Sequence, residues 1–162
     1  MTKVLSYIDT LIKSLDSSLN SSDIKNSDTN DETLPVSVLT IQSTVVYGIC
    51  GNKSAMFPLQ LFGYNACPIN TVQFSNHTGY PKWRGTTTNG NEFLELINGL
   101  QDNKLYNFEY IISGYMGSVS CIKELKKTLD ILIKNLKSNN KQLFYVCDPA
   151  MGDNGKLYSE HF

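Results

Sequence analysis

Thr71–Tyr80 reads TVQFSNHTGY. Its first residues suit a buried strand, and they run straight into Ser75, Asn76, His77, Thr78 and Gly79 before the aromatic Tyr80. A solvated turn would account for the change. So would a ligand site at the carboxyl end of a sheet strand, and the flanking sequence decides between the two.

Upstream, VSVLTIQS (Val36–Ser43) reads as a first buried strand and NKSAMFPLQLFG as a helix ending at Gly63. Pro58 should kink that helix or deprive it of one hydrogen bond. CPINTVQF is the second strand. Downstream, NGNEFLELINGL is a helix with Asn89 as N-cap and Glu92 three residues on, the spacing of a capping box. YNFEYIISGY holds a third strand. SVSCIKELKKTLDILIKNLK is a long amphipathic helix with Ile122, Leu125, Leu129, Leu132, Ile133 and Leu136 on its apolar side, and its lysines form the wet face. QLFYVCD is the fourth strand. Strands and helices taking turns at this spacing predict an α/β fold, a mainly parallel sheet flanked by helices. All carboxyl ends then share one sheet edge, where open α/β folds bind ligands. Ser43, SNHTGY, SGY and DPAMGD converge there, which favours a small-molecule site over a plain turn.

The 162 residues, 41% hydrophobic and 18% charged, allow one ordinary domain. A formal net charge of −1 offers no electrostatic reason for nucleic acid or an anionic membrane. Cys50, Cys67, Cys121 and Cys147 are scattered, without a C-x-x-C pair and with two histidines in the chain, which argues against zinc and for a reducing, cytoplasmic setting. No apolar run is long enough to span a membrane. Residues 1–15 place Val4, Leu5, Ile8, Leu11, Ile12 and Leu15 at helical spacing, residues 16–35 read as a disordered polar linker, and the folded domain runs from 36 to 162.

In DPAMGDNG, Asp148 follows a strand and Asp153 lies five residues on. Two carboxylates on one loop can hold hydrated Mg²⁺, which takes few protein ligands. An Asp-Pro turn followed by a surface Asp explains the same residues. Ser43 and Thr78 offer hydroxyls that could fix polar ligand atoms or simply close strand ends. Tyr115 could stack on an aromatic ligand or pack under its loop. His77 reads as a hydrogen-bonded loop histidine in preference to a general base. Neither G-x-x-x-x-G-K-[ST] nor G-x-G-x-x-G occurs, nor does a G-x-S-x-G or H-E-x-x-H motif.

VLTIQSTVVYGICGNKSAMFPLQLFGYNACPINTVQFSNHTGYPKWRG, ISGY and LFYVCDPAMGD together resemble the pyridoxal kinase family, over about Val38 to Tyr158. The resemblance implies a ribokinase-like three-layer fold cut after about four strands. It implies phosphorylation of the 5′-hydroxymethyl group of pyridoxal, pyridoxine and pyridoxamine by Mg-ATP, with K⁺ or Na⁺ as a further cation. Ser43 and Thr78 would hold polar atoms of the pyridine, and Tyr115 would pack on its ring with Phe74 and His77 nearby. Asp148 would stand beside the ATP phosphates and cations, Asp153 would help hold Mg²⁺, and Tyr158 would line the nucleotide side. It also implies a homodimer for a full-length member.

After Tyr115, MGS replaces charged residues common in the family. The family's Gly-Thr-Gly-Asp motif, with its anion hole and base, is expected beyond Phe162, so the 162-residue chain alone is expected to lack turnover and no catalytic base is assigned within it. A non-catalytic B6-binding or subunit-pairing protein is the alternative. A sister kinase acting on hydroxymethylpyrimidine is disfavoured by NTVQFSNHTGY.

Overall fold

The computed structural model describes residues 35–153 and 155–158. The helix expected over 1–15 and nearly all of the linker expected over 16–35 lie outside the described residues.

Strand β1 (Ser37–Val45) is the middle of a five-stranded sheet. β2 (Asn65–Phe74) lies on one side of it, followed by the three-residue β3 (Gly85–Thr87), which runs antiparallel to β2. β4 (Tyr110–Ser113) and β5 (Phe144–Cys147) lie on the other side, both parallel to β1. The order is therefore β3-β2-β1-β4-β5. The four expected strands are all present. The sequence reading missed β3 and a small antiparallel hairpin, β6 (Gly152–Asp153) with β7 (Lys156–Leu157), because elements of two or three residues carry no periodicity.

The chain moves first one way from β1 and later the other way. Right-handed crossovers then demand helices on opposite faces. Helix α1 (Asn52–Leu61) covers one face, where Val38, Leu59, Ala66 and Ile112 form a small core. Helices α2 (Gly90–Asp102) and α3 (Val119–Ser138) cover the other, where Leu39, Ile41 and Ile111 meet Phe93, Ile97, Leu125 and Leu132. The alternation of Val38 and Leu39, and of Ile111 and Ile112, between the two cores is the period of two that a strand buried on both faces requires.

Helix ends follow local chemistry. The Asn89 side chain accepts from the Asn91 and Glu92 amides at 2.9 and 3.1 Å, and Glu92 Oε2 accepts from the Asn89 amide at 2.9 Å, a complete capping box. α1 runs through Pro58 without a break, so the proline removes a bond and does not end the helix. It stops at Leu61, two residues before the expected Gly63. Gly63, at φ +83°, lets its own amide reach Gln60 O and the Tyr64 amide reach Leu59 O, both at 3.0 Å. α3 buries Leu125, Leu132 and Leu136 as expected, and half-buries Leu129 and Ile133. Ile122, expected on the apolar side, is 37% exposed, and the buried stripe instead starts at Cys121 and includes Thr128. Thr128 fits there because its hydroxyl donates back to Glu124 O and Leu125 O. Among the described residues no helix is long and apolar enough to cross a membrane.

Candidate functional site

A cavity of about 560 Å³ opens at the carboxyl edge of the parallel strands. β1 supplies Gln42, Ser43 and Val45; β2 supplies Val72 and Phe74; the turn after β4 supplies Gly114 and Tyr115; and Asp148 follows β5. The β2–β3 loop adds His77, Thr78 and Trp83, and Tyr158 follows the β6–β7 hairpin. Thus Ser43, Phe74, His77, Thr78, Tyr115, Asp148 and Tyr158, singled out from sequence, line one cavity. Asp153 lies on β6 and stays outside that lining.

Close backbone approaches shape the floor. At Gly114 a Cβ would stand 2.8 Å from Gln42 Oε1, and at Gly117, with φ +70°, it would stand 2.6 Å from Val72 Cγ1. The buried Thr71 hydroxyl donates to Tyr115 O, tying the end of β4 to β2. The opening stretch is therefore no loose turn. Ser75 N donates to Arg84 O at 2.7 Å, and Asn76 Nδ2 donates to Lys82 O at 3.0 Å, closing the loop on itself. Val46 and Tyr47 extend the pairing, their backbone amides donating to Phe74 O and Ser75 O.

His77 Nδ1 accepts from the Gly79 amide at 3.1 Å and its ring lies 4.6 Å from Tyr80, so its Nε2 is the nitrogen left for a ligand. Tyr115 meets Tyr158 edge-on at 6.0 Å. Burial, and secondarily Tyr158, push the Tyr115 phenol above its ordinary value, which keeps it a neutral ring and donor. Burial also raises the Cys50 thiol, against an opposing pull from Lys53. Cys50 lines the wall as a neutral group and not as a thiolate.

The wall is mostly apolar or aromatic, with Val45, Val72, Phe74, Trp83 and Tyr115 around the hydroxyls of Ser43 and Thr78. That composition suits a flat heterocycle with a few polar substituents. Asp148 is the one carboxylate on the wall among the described residues. A single carboxylate fits Mg²⁺ held largely through water and phosphate oxygens. Among the described residues no group of three or more His, Cys, Asp or Glu side chains stands together. Gln42, Val45, Cys50, Gly51, Val72 and Trp83 also line the cavity and were not singled out from sequence; Gln42 and Val72 read as strand interior, and their place near strand carboxyl ends is the signal that could have found them.

No family profile matches the chain. A pyridoxal kinase of Arabidopsis thaliana is 53% identical over 121 residues, 75% of this chain and 38% of that protein. One from Dictyostelium discoideum is 45% identical over 75% of this chain and 39% of its own length. The solved structure of pyridoxal kinase from Leishmania donovani in complex with ADP and pyridoxine superposes with a TM-score of 0.74 at 37% identity, over 77% of this chain and 43% of that one. The likeness in sequence and the likeness in fold cover similar shares of the chain. In sequence and in fold, the matched part of this chain is similar to the pyridoxal kinases, of whose length it spans about two fifths.

Proposed function

We propose that this chain carries the vitamin-binding part of a cytoplasmic pyridoxal kinase, which transfers phosphate from Mg-ATP to the 5′-hydroxymethyl group of pyridoxal, pyridoxine or pyridoxamine. The observation that carries the reading is the convergence of Ser43, Phe74, His77, Thr78 and Tyr115 on one cavity at the sheet's carboxyl edge. In this reading Tyr115 lies on the pyridine ring beside Phe74 and His77, and the Ser43 and Thr78 hydroxyls hold its polar atoms. Asp148 and Tyr158, on the same wall, would face the nucleotide. Asp148 would hold water-coordinated Mg²⁺ there, and Asp153 would join it from the hairpin. The cation would neutralise charge on the phosphates during transfer. Four cysteines without a disulfide fit a reducing compartment. Phe57 and Leu61, both exposed and one turn apart on α1, fit a homodimer of the full-length kinase.

Transfer also needs a base on the substrate hydroxyl and donors for the migrating phosphoryl group. With Asp148 as the wall's one described carboxylate, the 162-residue polypeptide assayed by itself is expected to bind a vitamer without sustained turnover. Trp83, the sole tryptophan, lines the cavity and reports on it. Titration with pyridoxal should quench its emission to saturation, while pyridoxal phosphate should not accumulate on adding Mg-ATP. An unaltered emission at millimolar pyridoxal would refute the assignment of the cavity. Steady product formation would refute the expected lack of turnover.

A further inference from the structure

We propose that Asn52 is a positioning residue that sets the Ser43 hydroxyl for the vitamer; the inference rests on the cavity reading above. The parallel pairing of β1 with β2 runs in register from Ser37 opposite Asn65 to Gln42 opposite Asn70, then resumes at Thr44 opposite Gln73. Ser43 thus faces two residues, Thr71 and Val72, across a β-bulge. Bulges re-aim side chains and leave the ladder locally open, so the orientation of Ser43 depends on what grips the strands beside it.

That grip is one buried amide. Asn52, 1% exposed at the start of α1, turns Nδ2 toward three acceptors: Ile69 O at 2.9 Å, Asn70 Oδ1 at 2.8 Å and Gln42 O at 3.2 Å. Its Oδ1 accepts from Thr40 Oγ1 at 2.9 Å, and that hydroxyl accepts from Gln42 Nε2 at 2.9 Å. A single side chain therefore bonds both strands at the last regular pair before the bulge. Asn is required because the site asks for two donors and an acceptor on one short, flat group. The preceding residue completes the arrangement. Gly51 has φ +55°, and a Cβ there would overlap the Ser43 carbonyl oxygen and stand 2.6 Å from Ser43 Oγ. Gly51 lets the helix start close onto Ser43, and Asn52 holds it there. Asn52 is not on the cavity wall, so any effect on a ligand passes through the strands it grips.

The test is a double-mutant cycle on the full chain, with pyridoxal as the probe and Trp83 emission as the readout. Ser43→Ala should weaken binding about tenfold, the loss of one buried hydrogen bond. Asn52→Asp keeps the shape but points an acceptor at three acceptors, and should weaken binding measurably, by no more than Ser43→Ala does. If Asn52 acts through Ser43, the double variant binds no more weakly than Ser43→Ala alone. Multiplying losses, or an unaltered affinity in Asn52→Asp, would overturn the proposal while leaving the cavity assignment standing. Failure of the wild-type chain to bind pyridoxal would overturn both, whereas wild-type affinity in Ser43→Ala would overturn the proposal alone. Should Asn52→Asp fail to fold by near-ultraviolet circular dichroism, Thr40→Val replaces it. That variant removes only the hydroxyl donating to Asn52 Oδ1, and should give a smaller loss, again absent in the Ser43→Ala background; an additive loss or none would count against the proposal.

Discussion

Cys121 shows what burial does to single side chains in this protein. It is fully buried at the head of α3, and burial pushes its thiol up to about 11 from an ordinary 9. The unfolded chain loses that proton at lower pH than the folded one. Cys121 therefore contributes stability that is present below about pH 9 and fades as pH rises through 11, up to roughly 2–3 kcal/mol in all. Urea unfolding at pH 8 and at pH 11 should show this loss, and Cys121→Ala should show a smaller difference between the two. An equal difference in both proteins would contradict the assignment. At this scale the polar residues that follow buried strands, Thr78, Tyr115 and Asp148, were legible as lining of the edge, whereas Ser43, expected to end its strand, lies inside β1, which runs on to Val45 past the break in register. Asn52 was not legible. Asparagine is usually exposed, and nothing in one sequence marks the register shift that its amide spans.

Among the elements, helices with explicit end signals were read most closely. The α2 N-terminus stands where Asn89 and Glu92 placed it, and Asn89→Ala should cost about 1 kcal/mol of stability by removing the acceptor for two amides. A denaturation midpoint equal to wild type would mean the box contributes nothing. The α3 stripe was read with one error of phase at its start, since Ile122 and Cys121 are both apolar and only packing against α2 chooses between them. β3 escaped notice for a different reason: its three exposed residues are held by pairing with Val72, Gln73 and Phe74, a tertiary cause with no local pattern. Protection should follow the same hierarchy. β1 has neighbours on both sides and five consecutive buried residues, whereas β5 pairs with β4 alone among the described residues and leaves Phe144 and Tyr145 exposed. Amide hydrogen exchange should be slowest at Leu39–Ile41 and faster by orders of magnitude across β5. Equal protection would show that β5 is covered in solution.

For the whole molecule, the parallel sheet matters because it delivers side chains from separate segments to one edge. Positions as distant in sequence as Ser43, Phe74, Tyr115 and Asp148 meet there although no local motif links them. Strand direction made that convergence legible, whereas the cavity's volume and the close approach of Gly114 to Gln42 needed coordinates. The central claim is that this edge cavity takes a B6 vitamer. The measurement that tests it most directly is the map of backbone amide shifts in isotope-labelled chain titrated with pyridoxal. Saturable shifts are expected, centred on Ser43, Gly51, Phe74 to Thr78 and Gly114 to Tyr115, with α3 unmoved. Shifts centred elsewhere, on the groove of Tyr47, Tyr80 and Lys82 for instance, or none at saturating pyridoxal, would contradict it.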